Sequence, residues 1–86
     1  MDFDDQLHRY FGTTDIASIA PSAIDAAVER MKVDLGLESD RGRRFALWAL
    51  MHMLGAAPDL ELVFEDRIDR DAARDFMDMA DRAGDA

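Results

Sequence analysis

The sequence predicts an all-α fold. We expect a small bundle of four main helices, at about residues 2–11, 22–35, 41–54 and 69–82, with one or two short helical turns and the helix at 41–54 in the centre. Three observations carry this. Nine of the ten residues from Phe45 to Leu54 are apolar, and wound as a helix they leave no continuous polar stripe, so such a helix has to be covered on every side. The run is far shorter than the roughly 20 residues of a membrane-spanning helix, so it belongs to a protein core. Elsewhere, apolar residues recur at helical spacing, and capping residues and glycines punctuate the chain where those stripes begin and end.

The first stripe is Phe3, Leu7, Tyr10 and Phe11. Asp2 can cap that helix, Asp4 and Asp5 favour the positive end of its dipole, and Gly12 suits its stop. Asp15 offers a cap for a single turn running to Ile19, and Pro21 biases Ala20 away from helical geometry. Ser22 and Asp25 form a short version of the capping box. Ile24, Ala27, Val28, Met31 and Leu35 then descend one face, and Gly36 with Leu37 fits a left-handed stop in which Leu37 folds back towards Met31. Asp40 is the natural cap of the central helix, Gly55 its stop, and Pro58 prevents continuation.

The segment Leu60-Glu61-Leu62-Val63-Phe64 reads either way. Leu60, Leu62 and Phe64 alternate as in a strand, whereas Leu60, Phe64 and Ile68 fit a helix. A lone strand leaves its backbone unsatisfied, which favours a short helix or turn capped by Asp59. Asp69 is the expected cap of the last helix, with Ala72, Phe76, Met79 or Ala80, and Ala83 facing inwards, Ala73 and Met77 flanking them, and Gly84 as the stop.

Eighty-six residues make one domain, 1–86, of a size that buries only about 60% of its unfolded surface. The absence of cysteine excludes disulfides, thiolate metal sites and a cysteine nucleophile. The acidic start, Met1-Asp2-Phe3-Asp4-Asp5, does not read as a secretory signal, so cytoplasmic is the default expectation. The richness in Ala, Asp and Arg fits a high-GC bacterial genome.

The net charge of −9 is uneven. Residues 1–40 carry three basic and nine acidic groups, residues 58–86 carry four and ten, and residues 41–57 carry three arginines and no acid. Such a surface repels nucleic acid and anionic membranes, so neither is an expected partner.

The sharpest local feature is Arg41-Gly42-Arg43-Arg44, the one basic cluster, at a helix N-terminus where positive charge opposes the dipole. As a site it offers backbone N–H groups and arginine forks to a phosphate, nucleotide or carboxylate. The plainer expectation pairs these arginines with carboxylates of the same chain, such as Glu38 or those of the last helix. A capping Asp40 also occupies N–H groups that an anion needs. A helix-turn-helix reading fails because a recognition helix must present one polar face to the groove, and this one has none after Arg44.

His52 could act as an acid or base, but no partner stands at a fixed spacing to complete a catalytic set. The expectation is a core histidine bonded to a carboxylate or carbonyl. His8 falls on the exposed side of the first helix. No metal-ligand spacing occurs, no attachment serine of a phosphopantetheine carrier is present, and we expect no catalytic residue, cofactor or metal.

Met51, Met53, Met77 and Met79 form two near-adjacent pairs, read first as core filler and second as a soft groove for a partner helix. Covering Trp48 asks much of so few neighbours. Trp48, Met51, Phe76 and Met77 are therefore the candidate interface, completed by a second copy or another protein. The expected function is a non-enzymatic protein–protein interaction module, with a homodimer as one form. The alternatives are an acidic inhibitor or nucleic-acid mimic, presenting Asp66, Asp69, Asp71, Asp75, Asp78 and Asp81 to a basic protein surface, and an anion site at Arg41–Arg44.

Overall fold

The computed structural model describes residues 3–84 and contains helices and no strand among them. The order is α1 (Phe3–Phe11), a 3-10 turn (Ile16–Ser18), α2 (Pro21–Leu37), α3 (Arg41–Met53), α4 (Leu60–Val63) and α5 (Arg67–Gly84). The expected Asp2 cap and the burial of the Phe3 side chain fall outside what is described. The molecule measures 36 × 34 × 20 Å, and its shortest dimension is two helix diameters of roughly 10 Å each.

α3 is the centre. It packs against α1, α2 and α5, while α4 rests on α5. Five consecutive side chains, Leu47, Trp48, Ala49, Leu50 and Met51, are buried, which a helix achieves only when neighbours cover every side. The enclosure stops at the last turn, where Met53 is exposed.

α3 runs from its expected cap to its expected stop. Arg43 N–H donates to Asp40 Oδ1 at 2.9 Å, so the aspartate satisfies one orphan donor of the first turn. At the other end Gly55 takes a left-handed φ of 75°. Its N–H reaches the His52 carbonyl at 3.0 Å and the Ala56 N–H reaches that of Met51 at 2.9 Å. This paired 6→1 and 5→2 pattern is a Schellman stop, and it needs a residue without a Cβ penalty at that φ.

α2 departs from expectation at both ends. Pro21 is its first residue rather than the closing residue of the preceding turn, and Ala20 caps it with no side-chain bond, so the Ser22–Asp25 capping box does not form. Proline at the first position needs no partner for the N–H it lacks. The helix also passes through Gly36, which is not left-handed, to Leu37. Leu37 stays exposed instead of folding back on Met31. At its end the Arg44 guanidinium takes the Leu35 and Glu38 carbonyls, which the helix itself leaves without donors. Of the predicted inner stripe, Ala27, Val28, Met31 and Leu35 are buried and Ile24 is half-buried.

The ambiguous segment resolves as α4. Asp59 Oδ1 accepts from Glu61 N–H at 3.0 Å, and Val63 and Phe64 turn into the core.

α5 begins two residues earlier than expected. Asp66, not Asp69, caps it: Ile68 N–H donates to Asp66 Oδ1 at 2.7 Å. Its inner face is also rotated. Ala73 is fully buried, with Phe76 and Met77 packed against the core, whereas Ala72, Met79 and Ala83 are exposed. Both sets satisfy a helical period. Phe76 belongs to both sets and meets the Phe45 and Trp48 rings of α3 at 6.2 and 6.1 Å; beside it the bundle covers Ala73 and leaves Ala72 exposed. α3 and α5 run in the same direction, since Arg41 pairs with Asp69 near their starts and His52 with Asp81 towards their ends.

Candidate functional site

The four residues 41–44 share a helix start but not a direction. Arg41 turns to α5 and holds Asp69 with two hydrogen bonds, of 3.0 Å from Nε and 2.9 Å from Nη2, with Asp66 at 3.8 Å. The fork holds the Asp69 carboxyl below its ordinary range and raises its own pKa. This is the bidentate geometry to which guanidinium is suited.

Gly42 has its own reason to be small. A Cβ there would stand 3.3 Å from Asp40 Oδ1, so the glycine leaves room for the capping carboxylate.

Arg44 turns inwards. Its Nη1 donates to the Leu35 carbonyl at 2.9 Å and to that of Glu38 at 2.8 Å, and its Nη2 donates to the Val63 carbonyl. One guanidinium thus closes the C-terminal ends of α2 and α4, where a cation also complements both dipoles. Of the three arginines, Arg43 alone keeps its side chain on the surface with its guanidinium in no hydrogen bond or ion pair among the described residues.

An anion site over the whole cluster therefore has little to offer. Asp40 takes a first-turn N–H, Arg41 is committed to two carboxylates and Arg44 to three carbonyls. The depression beside them, about 380 Å³, is also lined by Glu38, Glu65, Asp66 and Asp69, which repel an anion.

The second candidate set, Trp48, Met51, Phe76 and Met77, divides in the same way. Trp48 is 1% exposed and Met51 fully buried, so neither presents its side chain to a partner. Phe76 and Met77 are half-buried. Trp48 sits in an aromatic cluster with Phe45, Phe64 and Phe76, its ring edge-on to Phe64 at 5.6 Å. Its indole N–H donates to the Pro58 carbonyl at 3.1 Å, which satisfies the one polar atom of a buried tryptophan. The methionine pairs are mixed: Met51 is core, whereas Met53 and Met79 are exposed.

His52 lies half-buried at the rim of this cluster. It stacks on Trp48 with ring centres 5.7 Å apart and planes at 18°, and its Nε2 stands 3.8 Å from Asp81 Oδ1. That is an ion-pair distance and too long for a hydrogen bond. His8 is exposed. Among the described residues there is no grouping of three or more His, Cys, Asp or Glu that could hold a metal ion, and no helix long and apolar enough to cross a membrane.

The sequence reading missed Gln6 and Leu62. Gln6 is 2% exposed, and its Oε1 has no donor among the described residues. Its position next to Leu7 in the buried stripe was the available signal, since neighbours on a helix flank share cover. Leu62, by contrast, is 84% exposed, and no periodicity in so short an element could have shown that.

No protein family, curated protein or solved structure matches this chain.

Proposed function

We propose that this chain is a non-enzymatic interaction module that grips a protein partner through apolar side chains left uncovered by its own folding. Leu62 carries the reading. It stands 84% exposed on the short α4 while the next two residues, Val63 and Phe64, are buried, so the turn places a leucine in water with its backbone firmly seated. Leu62 lines a depression with Leu35, Gly36 and Pro58; Leu37, 80% exposed, lines a separate one with Tyr10 and Arg43. Single exposed apolar residues are common; the reading rests on Leu62 being held at the rim of a depression, where a partner side chain could cover it.

The form of the reading that required a second copy to cover Trp48 loses its motive, because the single chain already covers it. The acidic-decoy form is diluted. Of its six aspartates, Asp66 and Asp69 face Arg41, Asp71 faces Arg67 and Arg74, and Asp81 faces His52. That leaves Asp75 and Asp78 without an ion pair among the described residues.

The test is capture from native lysate by the chain and by its Leu62→Glu variant, with sedimentation of both at micromolar concentration. A surface leucine contributes little to folding, so the variant keeps its thermal midpoint and loses the captured or self-associated species. Capture or association that survives both Leu62→Glu and Leu37→Glu would refute the reading.

A further inference from the structure

Leu62 borders two depressions of different chemistry. On one side it lines the depression of about 270 Å³ with Leu35, Pro58 and Val63. On the other it lines the larger one at the start of α3, together with Glu38, Glu65, Asp66 and Asp69. One guanidinium fixes how the second is assembled. Arg44 bonds the Glu38 carbonyl at 2.8 Å and also that of Val63, the residue after Leu62, so the ends of α2 and α4 are held side by side.

The charges of the larger depression do not cancel. Arg41 is committed to Asp69 and Asp66, and Arg44 to carbonyls. The Glu38 carboxylate receives a long bond of 3.4 Å from the Asp40 N–H, and neither it nor Glu65 is in an ion pair among the described residues. Both are solvated while this face is open. A partner seated on Leu62 also closes on them, and a carboxylate enclosed without a cation is costly. What covers Leu62 therefore has to bring positive charge beside its apolar group. A second copy of the chain, with its net charge of −9, is opposed by that field.

We propose that the surface at Leu62 receives a basic amphipathic protein segment in which an arginine stands beside a large aliphatic residue. The aliphatic side chain covers Leu62 and enters the depression at Leu35 and Pro58. The arginine fork enters the other depression and meets Glu38 and Glu65. This inference rests on the reading of Leu62 as a contact surface and adds the chemistry of what it contacts.

The experiment is fluorescence anisotropy of labelled synthetic peptides titrated with the full chain at neutral pH and about 0.15 M salt. One peptide repeats leucine and arginine, a second serine and arginine, and a third leucine and glutamate. The leucine–arginine peptide is expected to bind saturably and at least about tenfold tighter than the other two. Glu38→Gln combined with Glu65→Gln is expected to weaken it about tenfold, and Leu62→Ser severalfold. Glutamine keeps the acceptor that the Asp40 N–H uses, and all variants are compared at an unchanged thermal midpoint. Asp75→Asn combined with Asp78→Asn removes the same charge from elsewhere on the surface and is expected to weaken binding by less than about twofold.

Absence of saturable binding by the leucine–arginine peptide overturns the proposal. So does equal binding of the serine–arginine peptide, which marks a diffuse acidic surface, or of the leucine–glutamate peptide. Equal weakening by the two charge-removing pairs overturns it as well, and so does unchanged binding by Leu62→Ser. The two readings fail separately. Capture that survives Leu62→Glu and Leu37→Glu defeats the contact surface itself, whereas a peptide weakened by Leu62→Ser but not by the glutamine pair defeats only the basic chemistry.

Discussion

Replacing Arg44 with methionine keeps much of the aliphatic bulk and removes the guanidinium. Three carbonyls, those of Leu35, Glu38 and Val63, then lose their donor. A hydrogen bond to a charged group contributes about 1.5–3 kcal/mol. The three share one cation and the released carbonyls partly regain water, so the loss is far less than a threefold sum. An opposing effect exists as well: a cation in the opening turns of α3 is unfavourable by about 0.3–1 kcal/mol, and its removal returns that amount.

We expect a net destabilisation of about 2–4 kcal/mol, a large share of the roughly 4–13 kcal/mol typical of a chain this long. Arg44→Lys restores the charge but not the fork, and should cost about half as much. Urea unfolding followed by the fluorescence of Trp48, the chain's one tryptophan, reads this as a fall in midpoint at unchanged slope. Arg43→Met is the control and should stay within about 0.5 kcal/mol of the parent. An Arg44→Met midpoint that matches the Arg43→Met midpoint would show that the clamp does not hold α2 and α4.

Further outcomes follow from the same contacts. Asp40→Ala removes the Arg43 N–H acceptor and should cost about 1 kcal/mol in the same urea assay. Gly55→Ala places a Cβ at a φ of 75° and should lower stability by about 1 kcal/mol, whereas Gly36→Ala, in ordinary helical backbone, should raise it by a similar amount. Burial and the hydrogen bond to Asp34 push the Tyr10 hydroxyl far above its ordinary value of 10.0. A raised folded pKa favours the fold below the unfolded value and loses that advantage as pH rises through the folded one. The single tyrosine should therefore show no phenolate absorbance just above pH 10 in the folded chain and acquire it on unfolding. The Asp69 carboxyl is displaced the opposite way, below 3.8, chiefly by its hydrogen bonds from Arg41. Its contribution is present above that pH and lost as pH falls, so Asp69→Asn should flatten the acid limb of the stability curve.

The sequence by itself determined the helices and the centre of the bundle. Asp40, Asp59 and Gly55 act through bonds to residues within a few positions of themselves, and such local chemistry is written in the order of the residues. The all-round apolar run around Trp48 likewise left one arrangement, enclosure, open to it. What lay beyond was decided by partners distant in sequence. The two equally periodic sets on α5 share Phe76, and whether Ala72 or Ala73 is covered beside it depends on how α5 lies against the rest of the bundle. The open carbonyls at the end of α2 are met by Arg44, nine residues after Leu35. The division of one arginine cluster into an ion pair, a carbonyl clamp and a lone surface cation has the same origin. Adjacent residues on a helix point about 100° apart, so what surrounds the helix in space, and not the motif, assigns each side chain its task.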